Sequence, residues 1–187
     1  MKERYVRFKC AIPDFNIHIH ITMSIKKYPK QSPELYADLY NALEEVKFAK
    51  KQGTSNRRGF PPHEAMTFGL VKGRYTHKVG LSAHSKKYPE VYQLIKDIGK
   101  SLKFSFSSIH VNHNVVTPPH RDSKNTGESL LVSFGDYKGC NIVVEGREYD
   151  TNLKPVVFDG SKLEHWNTPL ESGNKYSLVF YHHGETR

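Results

Sequence analysis

The stretch Pro119-His120-Arg121-Asp122-Ser123-Lys124-Asn125-Thr126-Gly127-Glu128-Ser129 decides how this 187-residue sequence is interpreted. It follows a predicted strand and a Pro118-Pro119 turn, which places His120 and Asp122 at the start of a loop. Another histidine, His165, lies 43 residues beyond Asp122. Two histidines and one carboxylate are the ligands of a facial triad, which suits Fe(II) and leaves three positions open for a 2-oxo acid and dioxygen.

The tripeptide His120-Arg121-Asp122 also admits other interpretations. A protein-kinase catalytic loop begins with the same residues, but it requires Asn five residues after the Asp, where Gly127 stands here. In a chain with 11 histidines, a surface His beside a loop Asp is also common. A hydrolytic zinc site built from the same three ligands remains open.

Lys175 favours iron with an oxo-acid over zinc. It lies ten residues after His165, at the start of a strand predicted over 176–182. A lysine that faces the interior there can pair with the distal carboxylate of 2-oxoglutarate as a point charge. The alternative is a solvated turn lysine that follows Gly173-Asn174.

The chain from residue 104 onward has the pattern of an all-β core. Short apolar runs alternate with Gly, Pro and Asn turns, which is typical of a jelly roll or barrel. We therefore predict an α+β protein with a mostly β core, a double-stranded β-helix of the jelly-roll or cupin-like type with N-terminal helices packed outside. The predicted strands are 104–116, 128–134, 140–145, 154–158 and 176–182.

The N-terminal half has a different pattern. Alternation of Ile and polar residues predicts a strand over 17–25, and apolar residues at helical spacing predict a helix over 33–51 and another from Pro89. The segment 52–87 is interpreted as loops and short strands. The apolar faces of the two helices are Leu35, Leu39, Leu43 and Val46, and Val91, Leu94, Ile95, Ile98 and Leu102.

Positive charge is concentrated in the same half. Residues 1–103 hold 20 Lys and Arg against 9 Asp and Glu, whereas residues 104–187 hold 8 against 10. This skew is typical of a polyanion binder, although a solvated basic surface has the same composition. We expect one domain over 1–187, in which 1–103 is a basic buttress and 104–187 is the β core that carries the metal site.

The cysteine content and the N-terminal residues indicate the cellular compartment in which the protein is expected. The two cysteines, Cys10 and Cys140, are too few for a disulfide framework. The sequence has no apolar leader and no apolar run of membrane-spanning length. We expect an intracellular monomer without a membrane partner.

Several motifs together resemble one family, the TET/JBP branch of the 2-oxoglutarate and Fe(II)-dependent dioxygenases, which oxidise the methyl group of 5-methylcytosine or thymine in nucleic acid. The segment 120–129 resembles the H-x-D-x-x-N…G-x-S motif of that branch. Asp159-Gly160, His165-Trp166-Asn167 and 175–178 are similar to its second-histidine and cosubstrate-anchor segments. The likeness covers about seventy residues, with a fainter similarity over 58–69.

The resemblance implies specific roles for residues. It assigns Fe(II) to His120, Asp122 and His165, and the far carboxylate of 2-oxoglutarate to Lys175. It places Asn125 and His183 against a flipped base. The sequence departs from the family in having Lys175 where arginine is frequent, and Cys140 where a second glycine is expected after Gly139.

Further candidate residues come from the pattern itself. Strand alternation puts Asn112 on a face where it can hydrogen-bond 2-oxoglutarate, and Arg74 can reach the other end of the oxo-acid; a polar edge face and a solvated arginine are the alternatives. The pairs Arg57-Arg58 and Lys86-Lys87 are candidate phosphate contacts.

The functional hypothesis is that the chain, with Fe(II), 2-oxoglutarate and O2, oxidises a methylated base in DNA, with 5-methylcytosine the first choice. A base in a duplex must be extruded to reach a buried centre, and basic contacts to phosphates help to offset that cost. Two alternatives remain. One is a hydroxylase of a protein side chain or small molecule, and the other is a non-catalytic β-helix that binds modified DNA.

Overall fold

The structure is a computed structural model that describes residues 25–48, 50–51, 63–73, 75–122 and 125–184. The strand predicted over 17–25 lies outside these residues apart from Ile25, and so do Arg57, Arg58 and Arg74. The helices are α1 (Glu34–Glu44), α2 (Ala83–Lys87) and α3 (Pro89–Ser101). The strands are β1 (Lys26–Lys27), β2 (Lys50–Lys51), β3 (His63–Lys72), β4 (Val79–Leu81), β5 (Ser108–His113), β6 (Ser129–Gly139), β7 (Ile142–Val144), β8 (Arg147–Tyr149), β9 (Val156–Phe158), β10 (His165–Asn167) and β11 (Leu170–Tyr181).

Two antiparallel sheets form the β core. The large sheet has the strand order β1-β9-β6-β11-β5-β3-β2, and β4 extends it as a hairpin on β3. The small sheet has the order β10-β7-β8, and the backbone of His120 adds to its β10 edge by bridging to His165. This is the two-sheet arrangement of a double-stranded β-helix, so the predicted fold class is confirmed.

Strand alternation divides the large sheet into two faces with different partners. On β11, Tyr176, Leu178 and Phe180 face a core shared with α1 and α3. Lys175, Ser177 and Val179, the alternate residues, face a cavity between the sheets. The outer face is therefore closed by helices, which leaves the inner face available for a polar site.

The helix predicted over 33–51 is shorter in the structure, since α1 ends at Glu44. The chain has to leave the helix there because β2, only a few residues later, pairs with the edge of β3. Tyr36, Leu39 and Leu43 form its buried face, whereas Leu35 is exposed. The second predicted helix is confirmed as α3, with Pro89 at its first position.

The strands predicted for the β core exist, with different bounds. β5 and β7 are shorter than the predictions, and β6 continues to Gly139. β11 begins at Leu170, because residues 172–174, predicted as a turn, lie inside the strand and pair with β6. Gly173 has φ 90° there, and the register with β6 shifts between Leu170 and Ser172. The segment 52–87, interpreted as loops and short strands, contains the ten-residue strand β3.

Among the residues that the structure describes, none of the helices combines the length and the apolar character needed to cross a bilayer.

Candidate metal centre

Three predicted ligands lie together at the end of the small sheet. His120 and His165 pair through their backbones, with both N–H···O distances at 3.0 Å, and their ring centroids are 4.2 Å apart. The side chain of Asp122 completes the group: its Oδ1 is 3.8 Å from His120 Nε2 and its Oδ2 is 3.6 Å from His165 Nε2. One donor atom from each residue falls within 4.8 Å of the other two. The backbone bridge thus brings together ligands that are far apart in sequence.

The two imidazoles are oriented in the same way. His120 Nδ1 donates to the carbonyl of Pro118 at 2.8 Å, and His165 Nδ1 donates to the carbonyl of Leu163 at 2.9 Å. A carbonyl can only accept, so these contacts assign the proton to Nδ1 and leave the Nε2 lone pair towards Asp122. Such contacts behind the ligands are what a metal-binding histidine needs to hold its tautomer.

Asp122 is fixed from its backbone and its carboxylate. Its N–H donates to the carbonyl of Gly160 at 2.8 Å, and Asn125 Nδ2 donates to its Oδ2 at 3.2 Å. A Cβ on Gly160 would lie 3.2 Å from Asp122 Oδ2 and 3.2 Å from His165 Cε1. Glycine therefore keeps clear the space beside two of the ligands.

These observations fit a divalent transition metal. Two imidazoles and one carboxylate, with donor atoms within 4.8 Å of one another, form the donor set that favours non-haem Fe(II). Among the described residues, this is the group of His, Cys, Asp and Glu side chains that satisfies the distance requirement for a shared ion. The three side chains also line one cavity, so that a metal held by them would be reachable from it.

The cavity next to the triad has a volume of about 130 Å³, roughly ten times what a single water needs. It lies between the two sheets, and its wall is part polar and part apolar. The lining residues are His110, Asn112, Val115, Thr117, His120, Asp122, Asn125, Ser129, Leu131, Ile142, Phe158, His165, Asn167, Lys175, Ser177, Val179 and Tyr181.

Lys175 is a buried cation in this wall. Only 4% of its surface is exposed, so it is not the solvated turn lysine of the alternative interpretation. Its Nζ donates to the carbonyl of Cys140 and lies 5.3 Å from the centre of the Tyr137 ring. Burial lowers the pKa of Lys175 below its ordinary value, and the contact with Cys140 opposes that effect. An ammonium group has three donors, so the site is suited to an anionic ligand.

Asn112 lies beside Lys175 on the same wall. It is opposite Ser177 in the β5–β11 register, and its Nδ2 donates to Ser177 Oγ at 3.3 Å. Because Ser177 follows Lys175 by two residues on β11, all three side chains share the inner face. Asn112 therefore faces the pocket, whereas its hydrogen bond to 2-oxoglutarate remains a prediction.

The two residues assigned to a base are also neighbours. Asn125 lines the cavity, and its backbone forms an antiparallel bridge with His183. The structure adds contacts that the sequence did not indicate. The side-chain Nδ2 of Asn125 donates to the Asp122 carboxylate and lies 3.5 Å from Ser129 Oγ. Asn125 therefore contacts Asp122, a predicted metal ligand, and also lines the pocket.

The candidate phosphate contacts are placed only in part. Lys86 and Lys87 are exposed on the short helix α2, and Lys87 Nζ lies 5.0 Å from the centre of the Tyr88 ring. Arg57, Arg58 and Arg74 lie outside the described residues, so their proposed roles remain predictions.

Sequence reasoning missed two polar residues of the wall, Thr117 and Asn167. Thr117 Oγ1 donates to Asn167 Oδ1 at 2.8 Å, and the N–H of Asn167 donates to the carbonyl of Thr117 at 3.0 Å. A signal existed for one of them, since Asn167 follows His165 by two residues on a strand and must face the same way.

Comparison with solved structures shows that this fold is shared with proteins of low sequence identity, one of which is described as a 2OG-Fe(II) oxygenase. NgTET1 in complex with 5mC DNA superposes with a TM-score of 0.61 at 13% identity, covering 87% of this chain and 73% of that one. An oxidoreductase of the 2OG-Fe(II) oxygenase family from Burkholderia pseudomallei superposes with a TM-score of 0.57 at 14% identity, covering 87% of this chain and 88% of that one.

A Pseudomonas putida prolyl-4-hydroxylase gives a TM-score of 0.52 at 14% identity, covering 87% of this chain and 94% of that one. No protein-family model matches the sequence, and no curated protein matches it. The likeness is therefore one of structure, and the function has to be argued from the site.

Proposed function

We propose that this chain is a 2-oxoglutarate and Fe(II)-dependent dioxygenase. The observation that carries the proposal is that a His-Asp-His ligand group and a buried lysine line the same cavity. A zinc hydrolase would use the three ligands but has no need of a buried cation in the wall. The structural likeness to three proteins, two of which are described as a 2OG-Fe(II) oxygenase and a prolyl-4-hydroxylase, supports the same conclusion.

His120, Asp122 and His165 are the residues that would hold Fe(II), each through one atom. When bound, the metal and the oxo-acid supply the oxidising chemistry, which the protein side chains lack. The chain's own contribution is orientation. The carbonyls of Pro118 and Leu163 accept from the two Nδ1–H groups, so that the Nε2 atom of each ring is the one that would bind the metal.

Lys175 is the residue proposed to pair with the distal carboxylate of 2-oxoglutarate. A carboxylate can take over the donors of a buried ammonium, and the pair compensates for the burial of both charges. Asn112 and Ser177, which share its face, add hydrogen-bonding groups beside it. Binding of the anion should raise the lowered pKa of Lys175 towards its ordinary value.

Apolar side chains line the other part of the cavity. Leu131, Phe158 and Val179 belong to the apolar cluster between the sheets and also line the cavity. In such surroundings the electrostatic contacts of a bound ligand are stronger than they would be in water, because the effective dielectric is lower.

The substrate that we propose is the methyl group of a modified base in DNA, with 5-methylcytosine the first choice. Three observations support this. The excess of +11 over residues 1–103 suits a polyanion. Asn125 lines the cavity and pairs with His183. NgTET1, one of the structural neighbours, was solved with 5mC DNA.

A second candidate is hydroxylation of a protein side chain. The observation in its favour is the likeness to the Pseudomonas putida prolyl-4-hydroxylase, which has the same fold at a similar identity. The two candidates use the same metal centre, so they differ only in what reaches it.

Nucleoside mass spectrometry tests the choice. The purified chain is incubated with Fe(II), 2-oxoglutarate and O2 together with either duplex DNA that contains 5-methylcytosine or a proline-rich peptide, with Asp122→Ala as the inactive control. We expect oxidised cytosine bases with the wild type only. Consumption of 2-oxoglutarate with the peptide, and none above background with DNA, would transfer the proposal to the protein hydroxylase.

A further inference from the structure

The hairpin formed by the end of β3 and by β4 is the most exposed apolar feature of the described residues. β3 and β4 pair from Leu70↔Leu81 to Lys72↔Val79, and the described residues from Tyr75 to Leu81 are all exposed. Tyr75, in the turn between the strands, is 86% exposed. Isolated exposed apolar residues are ordinary, but an aromatic ring at the tip of a projecting hairpin is suited to contact another molecule.

The charge around the hairpin indicates what kind of molecule that is. Between Glu64 and Glu90 the sequence has five Lys or Arg residues and no Asp or Glu. Lys72 and Lys78, on either side of Tyr75 in the hairpin, are both exposed. A surface that combines an aromatic ring with basic residues, and has no acidic residue along its segment, favours a nucleic-acid strand, whose bases stack and whose phosphates are anionic.

Strand register places the hairpin at one end of the large sheet. β3 meets β5 at Gly69↔Ser108, and β5 meets β11 at Ser108↔Tyr181. Leu70 N–H donates to Ser107 O at 2.8 Å, and Ser107 N–H donates to Tyr181 O at 3.1 Å. The hairpin therefore leaves the large sheet at the same end as Tyr181, with β5 between them, and Tyr181 lines the cavity.

Lys175 lies at the opposite end of the same sheet. Its neighbour Tyr176 pairs with His113, and His113 pairs with Glu64 near the start of β3. Asn125, by contrast, pairs with His183 just beyond the Tyr181 end of β11. The hairpin thus lies towards the end of the sheet that is far from the proposed 2-oxoglutarate anchor, the end at which Asn125 and His183, the residues proposed to contact the base, also lie.

We propose that this hairpin is a nucleic-acid contact at the substrate end of the cavity, where Tyr75 stacks on a base and Lys72 and Lys78 lie against backbone phosphates. The inference rests on the proposed nucleic-acid substrate and adds the surface that holds it. A base that leaves the duplex needs a replacement for its stacking, and a projecting tyrosine ring provides a stacking partner.

The test is oligonucleotide binding, measured anaerobically with Fe(II) and 2-oxoglutarate so that no turnover occurs. A duplex that contains 5-methylcytosine carries 2-aminopurine next to the modified base, which reports stacking by its fluorescence. Tyr75→Ala should weaken binding about tenfold and change the 2-aminopurine signal, whereas Tyr75→Phe should retain both. Binding of Fe(II) and 2-oxoglutarate should be the same in all three proteins.

The salt dependence of oligonucleotide affinity, measured for lysine variants with a matched control, tests the proposed phosphate contacts. Lys72→Gln with Lys78→Gln should make the log–log slope of affinity against salt less negative by roughly 0.9 for each phosphate that is no longer neutralised. Lys96→Gln with Lys100→Gln removes the same charge from α3, which packs on the other face of the large sheet, and should leave the slope unchanged.

The outcomes separate this inference from the proposed function. If the wild type oxidises methylated DNA and the Tyr75 and Lys72/Lys78 variants bind it as tightly as the wild type does, the hairpin inference is overturned and the proposed function stands. If the wild type binds no oligonucleotide, the hairpin inference and the proposed DNA substrate are both overturned, and the dioxygenase assignment is tested by turnover with the peptide. Tyr75-dependent binding to phosphatidylserine vesicles without binding to DNA would also overturn it, in favour of a lipid surface.

Discussion

Replacement of Lys175 by methionine should have two opposite effects, one on the fold and one on the ligand. Methionine has a similar length and no charge, so the substitution removes the cost of burying an ammonium group of which 4% is exposed. That cost is several kcal/mol for a buried ion. The substitution also deprives the Cys140 carbonyl of its donor, which costs about 1–3 kcal/mol. The difference favours the variant.

The free energy of unfolding of the ligand-free protein should therefore rise by about 1 kcal/mol in the variant, which for a chain of this size raises Tm by roughly 2–4 °C. The affinity for 2-oxoglutarate should change in the other direction. Removal of one charge-assisted hydrogen bond costs about 1.5–3 kcal/mol, which is a roughly 10- to 150-fold rise in Kd. Thermal unfolding and calorimetric titration with 2-oxoglutarate measure the two effects separately.

Lys100→Met is the matched control, because Lys100 is an exposed lysine on α3 whose side chain is 70% exposed. It should change neither Tm beyond a degree or so nor the affinity for 2-oxoglutarate. If Lys175→Met lowered Tm and left the affinity unchanged, Lys175 would be a structural residue, and the assignment of the carboxylate anchor would be refuted.

Other predictions follow from the site. His120→Ala or Asp122→Ala should abolish both stoichiometric Fe(II) binding and 2-oxoglutarate turnover, and full activity of either variant would show that the triad does not hold the metal. Gly160→Ala should weaken Fe(II) about 10- to 100-fold in a metal titration, because the new Cβ approaches two ligands; an unchanged affinity would contradict the crowding argument. Asn125→Ala should reduce base oxidation, measured by nucleoside mass spectrometry, without changing the salt dependence of DNA binding, and a changed salt slope would place it on the phosphate surface instead. The affinity for 2-oxoglutarate should fall as pH rises through the lowered pKa of Lys175, since the neutral amine cannot pair with a carboxylate, and Lys175→Arg should remove that dependence in a calorimetric series.

The same pKa has a consequence for stability with a definite sign. Burial lowers the pKa of Lys175 in the folded chain, so the unfolded chain binds more protons between that pKa and the ordinary value near 10.5. Stability of the ligand-free protein attributable to this residue should rise with pH in that interval. Denaturant unfolding of the wild type and Lys175→Met over this range measures the difference, and parallel pH profiles would contradict it.

The arrangement of the β core could be predicted because local patterns and long-range pairing agree there. Alternation on β5 and β11 correctly separates the helix-facing side from the cavity-facing side. The small sheet is harder to predict. β8 has three residues and depends on the tight turn Glu145-Gly146, where both residues have positive φ (47° and 76°). Glutamate is not a residue that signals such a turn, so the sequence does not predict the hairpin.

Long-range pairing overrides local propensity in the N-terminal half. The sequence does not predict β3 as one strand because Gly69, with φ 82°, interrupts it. α1 stops early although Val46 continues its apolar spacing, since β2 has to reach the edge of the sheet. Neither constraint is visible within a window of the sequence, because both come from residues that are distant along the chain.

The candidate metal ligands and Lys175 could be predicted from the sequence, whereas the residues that hydrogen-bond to them could not. The departure at Cys140 has a structural explanation: the residue adopts φ 52°, the left-handed conformation that glycine accommodates most easily, and its carbonyl accepts from Lys175. The contact between Asn125 and Asp122 depends on the path of a loop, which alternation does not predict.

Anaerobic titration with Fe(II) in the presence of 2-oxoglutarate tests the central claim most directly. The visible absorption of a 2-oxo acid bound to Fe(II) reports the binding of Fe(II) and of 2-oxoglutarate at once. We expect saturation at one ferrous ion and one 2-oxoglutarate per chain, disappearance of the signal in His120→Ala, and retained iron with weaker 2-oxoglutarate binding in Lys175→Met. Absence of Fe(II)-dependent 2-oxoglutarate binding by the wild type, or an undiminished signal in His120→Ala, would contradict the claim.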